Sequence, residues 1–118
     1  MPKIGEFAQQ YIDTALWSCL DDSDVPLDKN YKSDDIEPDS LQRMIEDCET
    51  FQEQYGDLID SHGTRSRAGH DFWLTRNGHG AGFWDGDWPD CEDELTEGST
   101  AFGECRLCPG EDGKLYLI

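Results

Sequence analysis

Residues 68–88, AGHDFWLTRNGHGAGFWDGDW, decide how this chain is read. They hold three of its four Trp and two of its five Phe around a Gly-rich centre. His70 to Thr75 read as a strand, because the segment is rich in β formers. Asn77-Gly78 is the turn dipeptide that supplies positive φ, and Gly80 and Gly82 add freedom beside it. Phe83 and Trp84 then belong to the returning strand. Alternation puts Phe72 and Leu74 on one face and Asp71 and Trp73 on the other. Large groups on both faces predict a hairpin covered on part of both sides, closed by Asp85-Gly86-Asp87-Trp88-Pro89.

Working outward, residues 4–19 predict a first helix. Ile4, Phe7, Tyr11, Ala15 and Cys19 recur at spacings of three and four and form one apolar stripe, with Trp17 at its edge. Asp21, Asp22, Ser23 and Asp24 end it, and Pro26 confirms the stop. Residues 20–36 are a polar connection, long enough to require a surface course or a turn of helix of its own. Pro38 suits the first position of a second helix, where its missing N–H has no intrahelical partner to lose. Leu41, Met44, Ile45, Cys48, Phe51, Tyr55 and Leu58 follow helical spacing. Gly56 interrupts the last turn, and Ser61-His62-Gly63 ends the helix. Residues 91–103 predict a third helix, anchored by Leu95 and Phe102, with Glu92, Asp93 and Glu94 at the favourable N-terminal end. Leu107, a GEDGK turn and Leu115-Tyr116-Leu117-Ile118 predict a last hairpin. The expected architecture is α+β in a single domain, residues 1–118: two N-terminal helices, then a small antiparallel sheet of hairpins with one further helix.

Charge is the outstanding bulk property. The 118 residues hold 27 Asp plus Glu against 9 Lys plus Arg, a formal net charge of −18. Residues 31–60 carry ten acids and two bases, whereas residues 61–90 carry four acids and three bases. Such a field argues against direct binding to nucleic acid or an anionic membrane, since neutralising phosphates needs clusters of Lys and Arg. It favours a basic partner, such as a protein whose own groove was built for DNA or RNA. Solubility and adaptation to high salt are the plainer readings of the same charge. No apolar run reaches the length of a membrane span and no signal-peptide pattern is present, so the expected location is the cytoplasm. The five Cys are then expected to stay reduced, without a disulfide framework.

On the polar side of the second helix lie Asp39, Glu46, Glu53, Asp57 and Asp60. Their steps of seven, seven, four and three keep them on one face, and seven residues of helix rise roughly 10 Å. A row of carboxylates at that pitch imitates part of a phosphate backbone; it is equally the solvated face of an amphipathic helix. His79, at the tip of the predicted turn, and Trp88 are the hairpin groups suited to closer contacts.

Chemistry-bearing constellations are sparse. Cys105-Arg-Leu-Cys108 has the spacing of half a zinc site, with Cys91 and His70 or His79 as further ligands at no standard spacing. The alternative is two small apolar strand residues. His70-Asp71 resembles a metal-phosphohydrolase dyad without the further His and Asp ligands such a site demands. Asp85, Asp87 and Asp90 fail the EF-hand pattern. Asn77 to Gly82 lacks the Lys-Ser/Thr and the following helix of a phosphate loop. No catalytic residue and no cofactor is expected.

The segment HDFWLTRNGHGAGFWD, together with the later LTE, AFGE and GEDGKLYLI pieces and more weakly the first helix and SDDIEPDSL, resembles small bacteriophage proteins of unassigned function. The resemblance implies a phage or prophage accessory protein and carries no functional residues with it. Cys105 and Cys108 stand where similar sequences have ordinary strand residues such as Val or Tyr. The resulting expectation is an acidic, non-enzymatic protein that inhibits or modulates a basic nucleic-acid-binding host protein, such as a nuclease, a CRISPR effector or a transcription factor, by charge mimicry. The alternatives are a small zinc-stabilised protein, a small enzyme built on His70 and Asp71, and a homo-oligomeric structural phage protein.

Overall fold

A computed structural model of the chain describes residues 5–21, 23–78, 83, 88 and 91–118. It is built from α1 (Glu6–Ser18), two short 3-10 turns (Leu27–Lys29 and Ser33–Asp35), α2 (Pro38–His62), α3 (Arg65–Arg76), α4 (Glu92–Thr100) and a two-stranded antiparallel sheet of β1 (Leu107–Pro109) and β2 (Leu115–Leu117). The expected order of two helices followed by a sheet of hairpins is therefore overturned. Among the described residues there are four helices, and the one β-hairpin comes at the C-terminal end.

The correction lies in the aromatic segment. His70 to Thr75 are helical, inside α3, and Phe83 stands in a turn rather than a returning strand. Thr64 begins the helix, its side chain accepting the Arg67 N–H at 3.2 Å. Asn77 and Gly78 end it. Gly78 has φ +73°, the left-handed conformation expected of this dipeptide, but here it closes a helix C-terminus instead of a hairpin. The Asn77 side chain fixes that end by donating to the Trp73 carbonyl at 3.0 Å and accepting the Cys105 N–H at 2.8 Å. Trp84, His79, Asp85 and Asp87 lie outside the described residues.

α3 is the centre of the molecule. Ala68, Phe72, Trp73 and Leu74 are buried, as are the polar Asp71, Thr75 and Arg76. Phe51 of α2 stacks on Phe72 with ring centroids 4.3 Å apart and planes at 17°. Tyr11 of α1 meets the Trp73 ring edge-on at 5.2 Å and 87°. Phe102, just beyond α4, sets its ring edge against Phe72 at 5.1 Å. Gly69 is what allows α1 so near: a Cβ there would run into the Phe7 carbonyl. These offset and edge-on arrangements are the ones aromatic quadrupoles favour.

The other elements form for the expected reasons. α1 buries Phe7, Ala8, Tyr11, Ile12, Ala15 and Leu16 along one stripe. α2 buries Met44, Cys48, Phe51 and Ile59, and it runs through Gly56 without interruption. Glu37 caps α2, its carboxylate accepting the N–H groups of Asp39 at 3.1 Å and Ser40 at 3.0 Å. The long connection between α1 and α2 contains the two 3-10 turns. The C-terminal hairpin pairs Leu107 with Leu117 and Pro109 with Leu115. It is tied to α2 by the Glu37 N–H on Leu115 O at 2.8 Å and the Leu117 N–H on Ser40 Oγ at 3.0 Å.

Candidate protein-binding face

α2 carries the predicted carboxylate row outward. Asp39, Glu46, Glu53, Asp57 and Asp60 are all exposed along its 25 residues. The helix has this face because its apolar stripe is consumed by α1, α3 and the hairpin, which leaves the opposite side to water. Asp60 is the exception within the row. Arg65, from the start of α3, grips it with Nε to Oδ1 at 2.7 Å and Nη2 to Oδ2 at 2.8 Å, and also donates to Gln52 at 2.7 Å. Those hydrogen bonds hold the Asp60 carboxyl below its usual range. Among the described residues, Asp39, Glu46, Glu53 and Asp57 have no ion pair with a cation. Asp57 lies in the field of Arg65; together with Asp39, Glu46 and Glu53 it makes a row that can attract cations over roughly a Debye length, about 8 Å at physiological salt.

The Trp88 indole, expected as a contact group, lies inside the molecule. It is fully buried, packs edge-on against Phe83 at 5.6 Å, and donates from Nε1 to Asp71 Oδ2 at 2.7 Å. His79 lies outside the described residues.

His70 and Asp71, neighbours in sequence, are also neighbours in space, with Nδ1 and Oδ1 2.9 Å apart. Asp71 is buried, so its carboxylate joins the rim of α3 to Trp88 and to a half-exposed imidazole. Trp17 lies against that imidazole, centroids 5.8 Å apart. The pair has the look of an oriented base, but among the described residues no group of three or more His, Cys, Asp or Glu is arranged to hold a metal ion. The zinc set is not assembled among the described residues, outside which its candidate His79 lies. Cys91 is buried at the N-cap of α4, while Cys105 and Cys108 face a cleft together with Cys19. Burial pushes the thiols of Cys19, Cys48 and Cys105 up.

Sequence reasoning missed Arg76. It is 6 % exposed and fully engaged: Nη1 donates to Tyr11 Oη and to Asp47 Oδ2, both at 2.9 Å, Nε to the Gly103 carbonyl at 2.8 Å, and Nη2 to the Phe102 carbonyl at 3.0 Å. Its guanidinium also lies over the rings of Phe72 and Phe102 at 5.7 and 5.5 Å. One cation thus fastens α1, α2, α3 and the segment after α4 to each other. The signal for it, an Arg at the end of an aromatic run, reads as a surface residue as long as the run is taken for a strand.

In comparisons with known proteins, no family model, no curated protein and no solved structure matches the chain. No described helix is long and apolar enough to cross a membrane.

Proposed function

We propose that the chain is a non-enzymatic binding protein that offers the α2 carboxylates to the nucleic-acid-binding surface of a basic protein, as a phage accessory protein acting on its host. The supporting observation is the geometry of α2: the exposed carboxylates of Asp39, Glu46, Glu53 and Asp57, of which Asp57 lies in the field of Arg65, are held in line by one continuous helix. A helix fixes their mutual distances, so the partner's Lys and Arg side chains meet an array already in place. Exposed pairs contribute little each, and the array acts mainly on encounter rate and on choice of partner.

The test is a competition. The tagged protein is used to capture a basic partner from host lysate, and the complex is then challenged with duplex DNA or RNA at constant ionic strength. The reading predicts that nucleic acid releases the partner and that affinity falls steeply as salt rises. A partner that holds nucleic acid and this protein at the same time would refute occupation of the same surface.

A further inference from the structure

A cleft of about 640 Å³ opens where the end of α1, the end of α3 and the edge of β1 meet. Among the described residues, four large apolar side chains stand exposed, and two of them, Leu20 at 51 % and Ile118 at 64 %, line this cleft. Apolar side chains exposed singly are ordinary, but two on one concavity mark a contact site. Asp21, Asp24 and Glu104 share the lining with one cation, Arg106.

The loop bearing two of these carboxylates is tightly built. The Asp21 side chain accepts the N–H groups of Ser23 at 2.8 Å and Val25 at 3.0 Å, and the Asp24 N–H donates to the Asp21 carbonyl at 3.0 Å. Asp24 sits at φ +62°, a left-handed conformation that is uncommon outside glycine and is held here by its neighbours. On the adjoining strand edge Pro109 has no N–H to offer a further strand.

We propose that the cleft docks an extended segment of a protein partner in which Lys or Arg alternates with bulky apolar residues. The apolar side chain seats between Leu20 and Ile118, and the cations meet Asp21, Asp24 and Glu104. This rests on the reading of the chain as a binder of basic proteins and adds the contact that gives it affinity. None of the exposed large apolar side chains is on α2, so that helix has charge without an anchor. The cleft has both, and binding energy concentrates where an apolar group is desolvated. Its excess of carboxylates selects against an acidic segment.

The probe is a short fluorescent peptide of alternating Arg and Leu, with Glu-for-Arg and Ser-for-Leu versions as controls, titrated at physiological salt. The Arg-Leu peptide is expected to bind and both controls to bind far less. Leu20→Ser and Ile118→Ser, both at exposed side chains, are each expected to weaken it roughly tenfold. Asp24→Asn, which keeps a residue tolerant of positive φ, is expected to weaken it as well. The peptide should also shield the Cys108 thiol from iodoacetamide. Unchanged affinity in both Leu20→Ser and Ile118→Ser, or an unshielded Cys108, would overturn the proposal. A captured partner that is lost on neutralising α2 but kept by the cleft variants would overturn the cleft alone. Peptide binding in the cleft without any nucleic-acid-competed partner would uphold the cleft and remove the α2 reading.

Discussion

α2 and α3 follow one another with only Gly63 and Thr64 between them, and they are built on opposite plans. α2 lies on the surface: one stripe is buried and the other side carries its carboxylates to water. α3 is enclosed: Ala68, Gly69 and every residue from Asp71 to Arg76 are buried, and half-buried His70 breaks the run. A surface helix must write its period into its sequence, because one side meets water. An enclosed helix is free of that demand. Its apolar and aromatic residues come as a continuous run, which periodicity alone cannot distinguish from a buried strand.

The sharpest way to break this contrast is to attack what encloses α3. Arg76→Ala removes the buried cation that joins Tyr11, Asp47 and two backbone carbonyls, and leaves the enclosed Tyr11 hydroxyl without it. Removing one partner of a buried, hydrogen-bonded charge costs about 3–5 kcal/mol, which denaturant unfolding would register as a large fall in midpoint. A change within about 0.5 kcal/mol, as at an exposed site, would show that Arg76 is a surface residue after all.

Gly69→Ala comes next and decides between two signs. On an exposed helix this change stabilises by about 1 kcal/mol. Here the added methyl meets the Phe7 carbonyl, so α1 and α3 must separate. Overpacking of this kind costs about 1–3 kcal/mol. A stabilised Gly69→Ala protein would mean that the two helices do not approach so closely.

The start of α2 sets a smaller, pH-dependent effect. The N–H groups of Asp39 and Ser40 hold the Glu37 carboxyl below its usual range. A carboxylate whose folded pKa is lowered stabilises the protein above its ordinary pKa, and that contribution is lost as pH falls through the lowered value. Glu37→Gln is therefore expected to melt below the unmodified protein at neutral pH. The gap should narrow as the pH is taken down through the carboxylate range. A gap independent of pH would remove the cap from the account.

How much of this was legible beforehand follows from the same contrast. α1, α2, α4 and the C-terminal hairpin are readable as elements because each has one wet side or an evident stop, although α4 ends at Thr100 and not at 103. The carboxylate row of α2 was readable for the same reason. α3 was not, and its misreading hid three further things. A strand puts Asp71 and Trp73 on a common face, gives the Asp71–Trp88 hydrogen bond no reason to exist, and does not single out Arg76. Asn77-Gly78 was read for its backbone angle, correctly at Gly78, but positive φ ends helices as well as it turns hairpins. The cleft was invisible for another reason: Leu20, Asp24, Glu104, Cys108 and Ile118 come from opposite ends of the chain, and only folding brings them together.

Changes on the outer face of α2 are expected to have the least effect on stability while still acting on binding, and one measurement uses that directly. Glu46→Gln, Glu53→Gln and Asp57→Asn are combined in one protein. Asp28→Asn, Asp34→Asn and Glu111→Gln, all at exposed positions outside α2, are combined in another with the same net charge. Affinity for the captured basic partner is then compared at physiological salt, with unfolding midpoints as the check that both variants remain folded. The account predicts that the first protein binds the partner more slowly and more weakly than the second, because the positions of the carboxylates steer the encounter. Equal losses in the two would show that net charge alone is at work and would contradict the assignment of α2 as the binding face.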